Sequence, residues 1–217
     1  MSRYQLIVFD WDGTLMDSAG AIVRAIQAAA RDLALPVPTD QQARHVIGLG
    51  LNDALQHAVP ELSAARYPEM VDAYRRHYLA SDQALTLFEG VETLLSDLHA
   101  AGYWLAVATG KSRIGLERAL GHSGLDQCFH ATRCADECHS KPHPQMLEEL
   151  MQEFAVDPAA TLMIGDTSHD LLMARNAGVD ALAVSYGAHP EDYLKAHAPL
   201  ATVADIEELA AWLKTNA

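Results

Sequence analysis

The chain has 217 residues, half of them hydrophobic, which suits one good-sized domain or a domain carrying an insertion. Fifteen basic against 29 acidic side chains give a net charge of −14 with no basic run to offset it, which excludes nucleic acid and anionic membrane as partners. No apolar stretch is long enough to span a bilayer and the first residues lack the layout of a signal peptide, so a cytoplasmic protein is expected. In chain order, the first element is a short continuous apolar run at residues 5–9, which fits a strand buried on both faces. Similar runs return at 104–108, 161–164 and 181–185, with a weaker one at 128–132. Helical patterns lie between and after them, at 91–101 (ending at Gly102), 112–121, 144–154, 170–177 (ending at Gly178) and 206–213. Strands alternating with helices predict a parallel sheet with helices on both faces.

One stretch breaks this alternation. From 17 to 86 only helical patterns occur. Ile22, Val23, Ile26, Ala30 and Leu33 recur at helical spacing, and Pro36 and Pro38 end that helix. Thr39 with Gln42 reads as a capping box for the next one. The turn Gly48-Leu49-Gly50 precedes a helix at 52–58, and a longer helix covers 68–79. An all-helical insertion that leaves and re-enters beside a strand end suggests a lid.

Chemistry-bearing residues collect at the expected strand ends, where open parallel sheets bind ligands. The first strand stops at Asp10-Trp11-Asp12-Gly13-Thr14. Residues i and i+2 of an extended chain point to one side, so Asp10 and Asp12 can share a site. Two carboxylates so close repel unless a cation sits between them. After the second strand comes Thr109-Gly110-Lys111-Ser112, whose hydroxyls and N–H groups at a helix start suit a phosphate oxygen or, equally, a simple helix cap. Lys141-Pro142 precedes the next helix. After the fourth strand come Gly165-Asp166 and, four residues on, Asp170. Acids at a helix start are favoured by the helix dipole, but a second acidic pair beside the first makes a cluster that requires a divalent cation, and oxygen ligands with water favour Mg²⁺. Cys128, Cys134 and Cys138 are an odd number at a spacing that fits neither a disulfide framework nor a zinc site, and they read as ordinary thiols.

In this order, Asp10-Trp11-Asp12-Gly13-Thr14, Thr109, Lys141-Pro142 and Gly165-Asp166 with Asp170 resemble the motifs of the haloacid dehalogenase superfamily. The insertion resembles that superfamily's helical cap, and the branch it most resembles is the phosphoglycolate phosphatase-like hydrolases. The resemblance implies an α/β fold: a Rossmann-like three-layer core with a parallel sheet from 1–16 and 87–217, plus an inserted all-helical cap domain at 17–86. It implies a Mg²⁺-dependent phosphatase acting on a small phosphorylated metabolite, with phosphoglycolate as the best guess. By the same resemblance Asp10 is the nucleophile that forms an aspartyl-phosphate, and Asp12 protonates the leaving oxygen and then activates water. Thr109, Gly110 and Lys141 hold the phosphoryl group. Mg²⁺ is held by Asp10, the main-chain carbonyl of Asp12 and Asp166, with Asp170 supporting the site directly, through water or through Lys141.

Gly48 stands where the family has its substrate-specificity loop, and Arg44, with His45, Asn52 and His57, lies near enough in sequence to reach a substrate. True dehalogenases of the superfamily generally lack the second aspartate, so Asp12 favours phosphate chemistry. The first lysine is Lys111, so the insertion contains none. That speaks against the Schiff-base mechanism of phosphonoacetaldehyde hydrolases and against the alternative of a β-phosphoglucomutase-type phosphomutase, whose cap grips a second phosphate. A non-catalytic partner protein is a further alternative, against which stand the intact motif residues. The expected partner is a small phosphate ester bound by a monomer or weak homodimer. Trp11 is bulkier than the aliphatic residue common at that position and is expected to serve core packing.

Overall fold

A computed structural model of the chain describes residues 3–82 and 84–217. Six strands run β1 Leu6–Phe9, β2 Trp104–Thr109, β3 Ala131–Cys134, β4 Thr161–Gly165, β5 Asp180–Val184 and β6 Thr202–Val203. All are parallel, in the order β3-β2-β1-β4-β5-β6. β1 is central, and the order reverses between it and β4, which makes the carboxyl end of β1 the switch-point crevice of the sheet.

Apolar residues alternate across the pleat, so each strand feeds two cores. On one face Ile7, Phe9, Leu105, Val107, Leu162 and Ile164 pack in one apolar cluster with Leu94, Leu95 and Leu98 of helix 91–100, Leu116 of helix 113–123, and Ile206, Leu209 and Leu213 of helix 206–216. On the other face Leu6, Val8, Ala106 and Met163 join Met146, Leu147 and Leu150 of helix 145–154 and Met173 of helix 168–177. The result is the three-layer, Rossmann-like architecture expected from the run of elements.

Between β1 and residue 86 the described elements are all helical: α1 Ala19–Asp32, α2 Asp40–His45, α3 Leu51–Ala58, a 3₁₀ turn Ala64–Arg66 and α4 Tyr67–Asp82. The capping box forms, with Thr39 N–H donating to Gln42 Oε1 at 2.9 Å. Ile22, Val23, Ile26, Ala29 and Ala30 build a separate apolar cluster with Leu55, Met70 and Ala73, which among the described residues only Ala188 joins from outside this segment. The two connections to the sheet are tied together. Asp17 N–H donates to Thr86 O, Phe88 N–H donates to Leu15 O, both at 3.0 Å, and Met16 pairs with Leu87.

The later elements follow as α5 Val91–Ala100, α6 Arg113–Ser123, α7 Gln145–Phe154, α8 Ser168–Ala177, α9 Glu191–Lys195 and α10 Ile206–Asn216. β3 begins three residues later than the apolar run 128–132 suggested. Cys128 closes a turn onto Leu125 O, and Phe129 packs on the core from a loop, so apolarity there marked burial without a strand. α9 and β6 were not expected, since five residues and two residues are too short to show a period. Among the described residues no helix is long and apolar enough to cross a membrane.

Candidate active site

The strand ends bring together three carboxylates far apart in sequence. Asp10 follows β1, its N–H donating to Ile164 O of the neighbouring β4 at 2.9 Å. Asp166 follows β4, and Asp170 sits in the first turn of α8. All three are buried, each at most 1 % exposed, and each offers an oxygen within 4.8 Å of the others. They can approach because glycines leave room: a Cβ on Gly165 would overlap the Asp170 carboxyl, and one on Gly187 would overlap Asp166.

One cation enters the group. Lys141 Nζ, itself buried, donates to Asp10 Oδ1 at 2.7 Å and to Asp170 Oδ1 at 2.6 Å. Asp170 Oδ2 accepts from Thr167 Oγ1 (2.7 Å) and Thr167 N–H (3.1 Å). Asp170 therefore caps its helix and anchors Lys141 at once, and the two alternative readings of that acid coexist. Asp166 Oδ1 accepts from Thr14 Oγ1 at 3.0 Å and Oδ2 from Ala188 N–H at 2.7 Å. Asp10 Oδ2 is buried with no hydrogen-bond partner.

Three carboxylates against one ammonium leave negative charge uncompensated among buried side chains. Burial pushes the Asp10 carboxyl up to about 7 despite Lys141, with Asp170 and Asp12 adding repulsion. Asp166 is raised well above the usual carboxylate range, first by burial and then by Asp10 and Asp170. For Lys141 burial works against the charge, but Asp10 and Asp170 outweigh it and hold the ammonium above its ordinary value. An unpartnered carboxylate oxygen among all-oxygen donors is the environment a hard divalent cation such as Mg²⁺ takes.

The Asp12 carboxylate stands outside this cluster. Ser18 Oγ donates to its Oδ1 at 2.6 Å, and Lys111 Nζ pairs with the same oxygen at 3.0 Å. Lys111 also donates to Tyr78 OH of α4 at 2.9 Å and lies 4.8 Å from the centre of that ring. The sequence reading treated Lys111 only as the first lysine after the insertion. The available signal was its spacing: 109 and 111 alternate out of β2 as 10 and 12 do out of β1. The absence of lysine from 17–86 therefore did not keep a lysine from the helical segment, because the sheet domain supplies one.

Thr109 is buried at the end of β2 and its Oγ1 accepts from Lys111 N–H at 3.2 Å. Gly110 lies under the turn of the helical segment: a Cβ there would overlap the carbonyl oxygens of Gly48 and Leu49. Gly50 N–H donates to Ser140 Oγ at 2.9 Å, one residue before Lys141. The Gly48 turn is thus seated directly on the loops that follow β2 and β3. His45 contributes its main-chain oxygen, which meets His169 Nε2 at 2.8 Å and His189 Nε2 at 3.2 Å. Ser168 N–H donates to His189 Nδ1, and burial pushes that imidazole down to about 4, so His189 is neutral.

Two clefts flank the site. A cavity of about 670 Å³ is lined by Asp12, Lys111, Tyr78, Asn52, Gly48 and Gly110, among others. The other, about 630 Å³, is lined by Lys141, His45, His57, His143 and His169, among others. Arg44 lines neither. Asn52 Oδ1 accepts from Tyr67 OH at 2.8 Å, and His57 Nδ1 meets Asp53 O at 2.7 Å. Trp11 is wholly buried beside Phe129, with its Nε1 unpartnered.

Residues 7–184 match the family described as haloacid dehalogenase-like hydrolase. The chain is 39 % identical over 210 residues to "Probable phosphatase IndB" of Dickeya dadantii, covering 94 % of this chain and 91 % of that one. It is 30 % identical over 204 residues to a phosphoglycolate phosphatase of Vibrio vulnificus, covering 90 % of each. Among solved structures, a predicted phosphoglycolate phosphatase from Haemophilus somnus superposes with a TM-score of 0.88 at 27 % identity over the whole of both chains. The acid-and-lysine site at the switch point, the fold and these likenesses agree, and the chain belongs to the haloacid dehalogenase-like hydrolases.

Proposed function

We propose that the protein, a phosphoric monoester hydrolase of this family, is a Mg²⁺-dependent phosphatase that cleaves a small phosphorylated metabolite through an aspartyl-phosphate on Asp10. One observation carries the reading: three buried carboxylates meet at the end of β1, only two of them, Asp10 and Asp170, are paired with Lys141, and Asp10 Oδ2 is left unpartnered among them. Phosphoglycolate is the substrate we favour, and the cytoplasm the setting.

Asp10, Asp166 and the main-chain carbonyl of Asp12 would hold the cation, with Asp170 fixing Lys141. When bound, Mg²⁺ supplies charge neutralisation, which lets a phosphate dianion approach the acids. Lys141 orients Asp10 through Oδ1 and, with Thr109 Oγ1 and Gly110 N–H, meets the phosphoryl oxygens. An Asp10 carboxylate oxygen attacks phosphorus as the ester P–O bond breaks, and Asp12 gives its proton to the departing oxygen. In the second half a water attacks the same phosphorus, Asp12 takes the water's proton, and the Asp10–phosphorus bond breaks to release inorganic phosphate. Ser18 and Lys111 hold Asp12 through Oδ1 alone, which leaves Oδ2 for the substrate.

Residues 17–86 serve as a cap on the core formed by 1–16 and 87–217. Their own apolar cluster, the paired connections at 15–17 and 86–88, and the seat of the Gly48 turn on Gly110 support that division. The cap closes the site against water and selects the leaving group, with Gly48 as part of the selecting turn. Arg44 stays a candidate substrate contact by its nearness in sequence to that turn, although it lines neither cleft here. The test is phosphate release across a panel of phosphorylated metabolites with Mg²⁺ and with a chelator. Steady release that needs Mg²⁺ supports the reading. Release that ignores the chelator, or turnover that produces only an isomer and needs a bisphosphate, contradicts it.

A further inference from the structure

The mechanism just given uses Lys111 only to hold Asp12, which leaves part of its hydrogen-bonding capacity unassigned. Lys111 brings the only ammonium in the larger cavity, its side chain is 10 % exposed, and it projects from the loop that also supplies Thr109 and Gly110. An ammonium carries three donors. Two are engaged, by Asp12 Oδ1 at 3.0 Å and Tyr78 OH at 2.9 Å, and one is left for a ligand in the cavity. We propose that Lys111 is the specificity residue for the leaving group and that it reads a carboxylate carried by the substrate close to the ester oxygen. The inference rests on the phosphatase reading and deepens it by naming the residue that selects the substrate.

Geometry carries this assignment. A leaving oxygen held by Asp12 Oδ2 stands about 5–8 Å from the Lys111 nitrogen, the span of a two-carbon leaving group plus one hydrogen bond. A group that short can bring a charge at its far end within hydrogen-bond reach of Lys111. The rest of the cavity narrows the choice of charge. Arg118, which also lines it, is already held by Asp82 at 2.5 Å, Arg75 lines it as an exposed guanidinium on α4, and Asp53 and Asp136 line it as acids. One partly engaged lysine suits a single negative charge better than a second phosphate dianion. Tyr78 completes the device: its hydroxyl and ring hold the ammonium between sheet domain and cap, so a substrate carboxylate at Lys111 would be sealed by the α4 face. A lysine serving only as a strut would pair with Asp12 and Tyr78 whatever the leaving group.

The experiment compares phosphoglycolate with ethyl phosphate, which differ by that carboxylate. Both are titrated by calorimetry, with Mg²⁺, into the full-length Asp10→Asn protein and into the same protein carrying Lys111→Met or Lys111→Arg. The ratio of the two affinities is the readout. The expected result is at least tenfold tighter binding of phosphoglycolate to the parent, a ratio that falls about ten- to hundredfold with Lys111→Met, and a ratio largely kept with Lys111→Arg. Should Lys111→Met fail to fold, Lys111→Gln makes the same comparison. An unchanged ratio in the neutral variant, whatever its absolute affinities, overturns the assignment while leaving the phosphatase reading intact. Failure of both ligands to bind the parent, with no Mg²⁺-dependent phosphate release by the wild type, overturns both.

Discussion

Lys141 Nζ donates to Asp10 Oδ1 at 2.7 Å across 131 residues of sequence, and neither side chain is more than 1 % exposed. A buried carboxylate group of this kind is expensive to leave unpaired, and removing one partner of a buried ion pair costs about 3–5 kcal/mol. Lys141→Met is therefore expected to lower stability by about 3 kcal/mol in chelator and by clearly less in Mg²⁺, where the cation covers part of the loss. Turnover should fall by about two orders of magnitude or more. Urea unfolding with and without Mg²⁺ checks this; equal losses in both conditions would separate Lys141 from the acids.

Asp10→Asn acts on the same pair in the opposite sense. It removes one of three crowded negative charges while keeping the shape, so the fold should persist and gain stability in chelator. Turnover should drop at least a thousandfold, because an amide is not a nucleophile for phosphorus. Circular dichroism beside a phosphate-release assay tests both halves, and wild-type rates would remove Asp10 from the mechanism.

Gly110 has no room for a Cβ beneath the Gly48 and Leu49 carbonyls. Gly110→Ala is expected to lift the turn rather than disturb the sheet, since those carbonyls are backbone and cannot rotate aside. Hydrogen exchange at Gly50 N–H, which donates to Ser140 Oγ, should speed up, and kcat/KM should fall about tenfold or more. Unaltered exchange and unaltered kinetics would mean that the cap does not need this seat.

The cysteines give a pH prediction. Burial pushes the Cys134 thiol up to about 12 and the Cys138 thiol up to about 11. A raised folded-state pKa means that the unfolded chain loses its proton first, so these thiols contribute stability below about 9 that is lost as pH rises through 11–12. In the native protein, alkylation of the half-buried Cys138 by iodoacetamide should still be accelerating at pH 10, where a free thiol has levelled off, while Cys134, with no exposed surface, should stay unmodified. A plateau near pH 9 would contradict the burial.

What the sequence showed and hid follows from the range of each interaction. The strands ending at Phe9, Thr109 and Gly165 were legible because fully buried strands need unbroken apolar runs. The acids were legible because they follow those runs immediately. The weak strand was misplaced because Cys128 and Phe129 are apolar for a loop that packs on the core, and β6 was missed because two residues carry no pattern. The tie from Lys111 to Asp12 and Tyr78 was not legible, since it depends on how the helical segment lies over the sheet. Arg44 shows the converse: nearness in sequence to the Gly48 turn does not bring a side chain into either cleft.

The central claim is that Asp10 carries the phosphoryl group and needs the cation to do so. The direct measurement is acid quenching of a single turnover with a radiolabelled phosphate ester, followed by peptide mapping. The account predicts label on the peptide containing Asp10, acid-stable and hydroxylamine-labile, present with Mg²⁺ and absent with chelator or in Asp10→Asn. Hydrolysis at full rate with no label on that peptide would contradict it.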